Sequence, residues 1–149
     1  MVKLSVFFVL FITCLQQVKG QHEFLGTWKT LDDVSGTGKS VVRIFKATNG
    51  LYYGRVEQLL EKKYQGKNPV CTPCKDDDSN KPVIGLLVVR DMKYEDGKLV
   101  GGLVLDPETG NVYYASIILD AKTNKLKLRG SIDKHGVLGR SQYWVKLVN

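Results

Sequence analysis

Cys71 and Cys74 are the residues whose type and spacing most clearly suggest chemistry. The Cys71-Thr-Pro-Cys74 stretch has the spacing of thiol–disulfide oxidoreductases, in which a helix beginning at the first cysteine favours its thiolate. The polar segment 75–80 that follows has no helical pattern, and a disulfide across so small a ring would contribute about 2 kcal/mol or less. We therefore predict a structural disulfide that fixes a loop, with a redox role centred on Cys71 as the alternative.

The same cysteine pair does not indicate a cofactor. Haem attachment requires a histidine after the second cysteine, and Lys75 occupies that position. A structural zinc site needs four ligands, and the pair supplies only part of such a set. We expect neither a metal nor another cofactor.

The stretch from Ser35 to Ser40, SGTGKS, resembles the end of a phosphate-binding loop. The full motif needs a glycine where Asp33 stands and a helix after the lysine and serine. The following residues 41–45, VVRIF, are instead typical of a strand. The stretch is predicted to be the loop of a β-hairpin.

Acid–base catalysis has few candidates in this sequence. His22 lies next to the expected mature N-terminus, and His135 lies in a predicted turn with no partner in view. The acidic residues at 32–33 and 76–78 lack the spacing and the terminal glutamate of a calcium loop. No catalytic constellation is found, so we expect a protein that is not an enzyme.

Residues 1–20 are predicted to be a signal peptide. Lys3 precedes an apolar run at 4–15, and Val18 and Gly20 stand at the small-residue positions of a cleavage site. The run is shorter than the about 20 residues of a membrane span, and the residues before Cys14 do not match a lipid-anchor site. We expect an exported monomer, periplasmic or extracellular, with residues 21–149 as one domain and no stable membrane span.

Removal of residues 1–20 leaves two cysteines and lowers the formal net charge from +7 to +5. An even cysteine pair in an oxidising compartment is expected to be bonded. The positive charge is spread over many segments rather than concentrated in a patch, which argues against nucleic-acid binding. Solubility accounts for the excess, with attraction to anionic envelope components as the alternative.

The mature sequence is a series of short β-prone segments separated by turn-forming residues. Asn49-Gly50 favours a hairpin, and Pro107 with Gly110 favours a tight turn. The pattern predicts an all-β fold, a single antiparallel up-and-down barrel of about eight strands. The segments are 24–30, 40–46, 51–60, 83–90, 98–105, 111–119, 125–132 and 140–148, with a turn at 94–97 and a long loop at 61–82.

The interior of such a barrel is open to two interpretations. Eight antiparallel strands close without an exposed edge, and the interior is then either filled by side chains or hollow enough for one small ligand. Gly101-Gly102 interrupts an apolar strand, which indicates a bend or a close backbone approach. The sequence does not decide between a filled and a hollow barrel.

Residues near both ends of the mature chain resemble the lipocalin-like (calycin) barrels. The resemblance rests on Gly26-x-Trp28 and on Arg140 with Trp144. It implies that Trp28 packs against Arg140, or less favourably Arg129, near one end of the barrel. Such a cation–π contact would contribute roughly 0.5–2 kcal/mol. The late Thr-Asp-Tyr type motif of lipocalins is missing, which argues against classical transport of small hydrophobic molecules.

Nearly the whole mature chain also resembles a family of small exported bacterial proteins classed as a domain of unknown function. This resemblance implies the same barrel and no particular activity. The matching stretches are Gly26-x-Trp28, Asp32-Asp33, 40–44, Cys71-x-x-Cys74, Ile84-Gly85, Gly101-Gly-x-x-Leu-Asp-Pro107 with Gly110 and Tyr113, 128–130, and 138–140 with Trp144.

Paired tyrosines supply the candidate ligand contacts. Tyr52-Tyr53 and Tyr113-Tyr114 each place one ring inward, because successive strand residues face opposite sides. With Arg129 they are predicted to line the mouth and upper interior of a barrel that binds a small lipophilic or anionic ligand of the cell envelope. The alternative is a filled barrel whose 61–82 loop meets a protein or polymer.

Overall fold

The computed structural model describes residues 20–148 of the chain. The predicted signal peptide, apart from Gly20, lies outside these residues, as does Cys14. The expectation of a cleaved leader therefore stays a prediction.

Eight antiparallel strands form one closed barrel, which confirms the predicted fold class. Each strand pairs with the next along the chain, and the pairing of the last strand with the first closes the sheet. The strands are β1 (Gly26–Leu31), β2 (Gly38–Lys46), β3 (Tyr52–Leu59), β4 (Leu87–Glu95), β5 (Lys98–Leu105), β6 (Val112–Asp120), β7 (Lys125–Ser131) and β8 (Gly139–Lys146).

The fourth strand begins and ends later than the sequence predicts. Residues 83–86 form a turn in which Leu86 N–H donates to Val83 O at 3.1 Å, and Gly85 has a φ of +101°. The strand then continues to Glu95, and the turn to β5 is reduced to Asp96 and Gly97, both with positive φ. Two such residues form a hairpin turn whose twist matches that of the flanking strands.

The two ends of the barrel differ in filling. We call the end that carries the loops 32–37, 60–86, 106–111 and 132–138 the open end, and the opposite end the closed end. The eight largest fully buried side chains lie toward the closed end, where they fill the interior of the barrel. They are Trp28, Tyr52, Phe24, Ile44, Met92, Leu99, Ile117 and Leu126.

Lys146, rather than Arg140, supplies the cation over Trp28. The Lys146 ammonium lies 5.1 Å from the centre of the Trp28 ring, and the Trp28 indole N–H donates to Phe24 O at 2.9 Å. The prediction for Arg140 is wrong because β8 runs from the open to the closed end. In the pairing of β1 with β8, Trp28 lies opposite Lys146. Arg140 lies at the open end, where a guanidinium nitrogen is 3.7 Å from a carboxylate oxygen of Asp33.

Arg129, the second candidate for this contact, also lies elsewhere. Its guanidinium donates to the carbonyl oxygens of Gly136 at 2.6 Å and Val137 at 3.0 Å. It therefore holds the loop between β7 and β8 instead of packing on Trp28.

The glycine pair on β5 marks a bulge and a close backbone approach, as predicted. Gly101 has a φ of +73°, and Asp91 on the neighbouring strand has a φ of +55°. A Cβ atom on Gly102 would lie 2.2 Å from Arg90 O and 2.3 Å from Met92 Sδ. No side chain fits there, so the two strands can bend together only with glycine at this position.

Gly102→Ala is expected to destabilise the fold by about 1–3 kcal/mol, because the added methyl group must displace backbone and a core side chain. Gly130→Ala is the matched control, since its Cβ would meet no heavy atom closer than 3.4 Å. Urea denaturation of both variants measures the difference. Equal losses of stability would contradict the close approach at Gly102.

Candidate functional site

A cavity of about 890 Å³ occupies the open half of the barrel and communicates with solvent. Its volume falls within the roughly 300–1,000 Å³ that is usual for small-molecule sites. The barrel is therefore hollow at one end and filled at the other. Each of the two interpretations that the sequence left open, a filled and a hollow interior, applies to one half of the barrel.

The cavity exists because the inward positions of the open half carry small side chains. Val42, Val56 and Val88 line it from three strands, and Gly130 lines it without any side chain. Trp144 is the innermost lining residue of β8 and is 3% exposed. Its ring separates the cavity from the packed core below.

The cavity wall is polar on one side and apolar on the other. The contiguous strands β8, β1 and β2 contribute Gln142, Thr30 and Ser40, whereas β3, β4 and β5 contribute valines and leucines. In the closed eight-stranded barrel, β8 and β1 lie across the interior from β4 and β5, whereas β2 and β3 are neighbours. The apolar lining residues of β3–β5 are Val56, Leu59, Val88, Val104 and Leu105.

The polar side of the cavity carries hydrogen-bonding groups. The Thr30 and Ser40 hydroxyls bond each other at 2.9 Å, and Ser40 N–H donates to Thr30 Oγ1 at 3.1 Å. Gln142 adds an amide to the same wall, and an amide both donates and accepts hydrogen bonds. This wall can therefore form hydrogen bonds with polar groups of a bound molecule.

Charges lie at the rim of the cavity, where most are paired. The Lys39 ammonium is 2.6 Å from a Glu108 carboxylate oxygen, and Lys63 lies 3.9 Å from the other oxygen of that group. Burial alone would lower the pKa of Lys39, but the hydrogen bond and charge of Glu108 outweigh it and raise the pKa. Lys39 therefore stays protonated and engaged with Glu108, and Arg140, with a 74% exposed side chain, is the rim cation most open to solvent.

Of the five residues predicted to contact a ligand, the structure places one in the cavity. Tyr113 lines it. Tyr114 faces outward and is 37% exposed, Tyr53 lies outside with its hydroxyl donating to Asp91 at 2.7 Å, and Arg129 holds the β7–β8 loop. One tyrosine of each pair faces inward, as predicted.

Tyr52 faces inward but belongs to the closed end. It is 1% exposed within the core, and burial, with a smaller contribution from Tyr94, raises the pKa of its phenol. It stays neutral there and contributes to packing rather than to the cavity. The inward direction follows from alternation, but the depth of a residue depends on the register between strands.

Sequence reasoning missed Thr30, Ser40 and Gln142. Gln142 lies two residues from both Arg140 and Trp144, and all three line the cavity. The alternation of β8 could have identified this inward series, because successive inward residues are two apart.

The long loop between β3 and β4 is ordered by the disulfide and by a small second core. Cys71 and Cys74 are bonded to each other, and they pack with Leu86 and Leu105. Cys71 Sγ lies 3.3 Å from Pro107 O. This contact fixes the loop against the β5–β6 turn at the rim of the cavity.

Gly110 also allows the cysteine loop to contact the β5–β6 turn. A Cβ at Gly110 would lie 2.0 Å from Pro73 O, so the turn and the cysteine loop touch through backbone atoms. Pro69, Val70 and Pro73 of the loop line the cavity mouth. The disulfide thus shapes one side of the entrance.

The surroundings of the cysteines do not resemble those of a redox-active pair. Both residues are buried, at 1% and 4% exposure. The helical turn that follows them is the three-residue 3-10 helix Asp76–Asp78, whose carboxylates would oppose a nearby thiolate. The geometry favours the structural interpretation.

Within residues 20–148, the remaining sequence candidates are not grouped to hold a metal ion. In the described part of the chain, no three His, Cys, Asp or Glu side chains are placed to hold a metal ion. The 35–40 stretch forms the end of the β1–β2 loop and the start of β2, as predicted for a hairpin. No helix within residues 20–148 is both long and apolar enough to span a membrane.

The outward-facing basic side chains are distributed over several strands of the barrel. Arg43 and Arg55 face each other on adjacent strands and are exposed. Lys29 and Lys127 alternate with buried residues on β1 and β7 and so also face outward. The interior strand positions of the cavity carry no charge below the rim.

The fold and the cavity define a lipocalin-like barrel. Protein HP1028 from the human pathogen Helicobacter pylori, described as belonging to the lipocalin family, superposes with a TM-score of 0.72 over 85% of this chain and 84% of that chain. The two sequences are 20% identical, so this likeness concerns the fold alone.

Residues 26–146 match the family DUF2147, described as an uncharacterized protein conserved in bacteria. The chain belongs to this family, which confirms the resemblance in its sequence. No match was found among curated proteins.

Replacing both cysteines by serine is expected to lower stability by about 2 kcal/mol or less, because the closed ring is small. The loop should become more mobile while the barrel stays folded. Thermal unfolding measures the first effect, and amide hydrogen exchange over residues 69–83 measures the second. Unchanged protection of the loop would show that its contacts with Leu86 and Leu105 suffice without the disulfide.

Proposed function

We propose that this protein is an exported, non-enzymatic binding protein that holds one small lipophilic or amphiphilic ligand of the cell envelope in the open half of its barrel. The observation that carries the proposal is the solvent-connected cavity of about 890 Å³. A cavity of that size with a valine-rich side removes apolar surface of a ligand from water, at roughly 25 cal/mol per Å².

Export is supported by the chemistry of the cysteines. A structural disulfide persists in oxidising compartments and is rare in the cytosol, and Cys71 and Cys74 are bonded. The predicted signal peptide at residues 1–20 agrees with this location.

The alternative of an interaction protein with a filled barrel has less support. The open half of the barrel is hollow, and the 61–82 region, which would meet the partner, contributes to the walls of the cavity. A thiol-redox function also has less support, because both sulfur-bearing residues are buried beside an acidic turn.

The proposal predicts that Val104→Phe weakens binding of an apolar probe. Val104 lines the cavity, so the larger ring should occupy space that a ligand needs. Val112→Phe is the matched control, since Val112 is 49% exposed on the neighbouring strand. Titration with 1-anilinonaphthalene-8-sulfonate should show a roughly tenfold loss of affinity for the first variant and little change for the second.

Equal affinities in the two variants and the unaltered protein would place the probe outside the cavity and contradict the proposal. Melting temperatures of both variants provide the check on folding. Native mass spectrometry of the protein purified from its own host is the complementary measurement, and a retained small molecule is the expected result.

A further inference from the structure

We propose that the cavity selects a rigid, facially amphipathic ligand, one whose hydroxyl or carbonyl groups lie along one face of a polycyclic skeleton. This inference rests on the proposed ligand-binding function and specifies the class of ligand. It follows from the distribution of the lining residues. Polar and apolar residues lie on opposite sides of the cavity, rather than at its rim and its floor.

The polar side extends through the depth of the cavity. Arg140, Gln142 and Trp144 line it from successive inward positions of β8, at the rim, halfway down and at the floor. Thr30 lies beside this series, because β1 pairs with β8 and Thr30 is opposite Trp144. Ser40 continues the polar surface onto β2 through its bond with Thr30.

The opposite side offers no comparable groups on its strands. Val88 and Val104 line the cavity from β4 and β5, and these strands lie across the barrel from β8 and β1, which carry Gln142 and Thr30. A ligand in this space therefore meets hydrocarbon on one face and hydroxyl, amide and guanidinium groups on the other.

A linear amphiphile matches this division poorly. An acyl chain with its headgroup at the rim would lay methylene groups against Gln142 and the Thr30–Ser40 pair. The Gln142 amide would then lose water without gaining a partner, which is unfavourable. A flat molecule with polar groups along one face can satisfy this amide while its other face covers the valines.

The arrangement predicts a preference that a simple apolar pocket would not show. Cholate carries its hydroxyl groups on one face of a rigid ring system, and lithocholate has the same skeleton with fewer hydroxyl groups. Isothermal titration below the micellar concentrations should find that cholate binds roughly 3- to 10-fold more tightly, the effect of one net hydrogen bond. An apolar pocket would favour lithocholate, the more hydrophobic of the two.

Gln142→Leu tests the polar side directly. It keeps the approximate size of the side chain and removes the amide, so cholate affinity should fall roughly 3- to 10-fold while lithocholate affinity stays the same or rises. Gln58→Leu is the matched control, because Gln58 is exposed on β3 and does not line the cavity. It should leave both affinities unchanged.

Myristate, a linear amphiphile, distinguishes the proposed facial selection from the proposed binding function. If myristate binds in the cavity and lithocholate equals or exceeds cholate, the facial selection is overturned and the binding function stands. If none of the three probes binds and 1-anilinonaphthalene-8-sulfonate also fails to bind, both the inference and the proposed function are overturned. A preference for cholate that persists in Gln142→Leu would overturn the assigned polar wall.

Discussion

Closure of the sheet between β1 and β8 is the constraint on which the rest of the structure depends. Once every strand has two neighbours, the backbone groups are satisfied within the sheet and no edge is exposed. The interior is then determined by side-chain size alone. Bulky inward residues such as Trp28 and Met92 fill the closed half, whereas Val42, Val56 and Gly130 leave the open half hollow. The cavity needs no special device beyond this difference in size.

The division of the cavity wall into a polar and an apolar side follows from the same closure of the sheet. A closed barrel assigns each strand a fixed place around the interior, so that a difference between strands becomes a difference between walls. Gln142 and Thr30 share one wall because β8 and β1 are joined by the closing ladder, although the two residues are far apart in the sequence. The charged rim residues are largely paired with each other, as with Lys39 and Glu108. In the proposed function, selection inside the cavity therefore depends on hydrogen bonds and apolar contact rather than on net charge.

The sequence could predict the barrel because its information is local. Alternation and turn residues located the strands, and Gly101-Gly102 marked the bulge. What it could not predict is how far along the barrel interior each inward residue lies. Tyr52 and Tyr113 carry the same local signal, yet one is in the core and the other lines the cavity. Arg140 and Lys146 share one face of β8, and only register with β1 places Lys146 on Trp28. Register is set by pairing with distant segments and by bulges such as that at Asp91, which single segments do not reveal.

The cysteine loop shows how the disulfide and the proposed binding cavity depend on each other. A loop of this length over a hollow barrel end would have few apolar contacts of its own, and long loops without them are mobile. Here Cys71, Cys74 and Leu86 make a second small core with Leu105 of β5, and the Gly110 turn meets Pro73 backbone to backbone. The loop is thereby held at the rim without occupying the barrel interior. The same residues that bury the sulfur atoms also fix one side of the entrance, so burial of the disulfide and the shape of the open end depend on the same contacts.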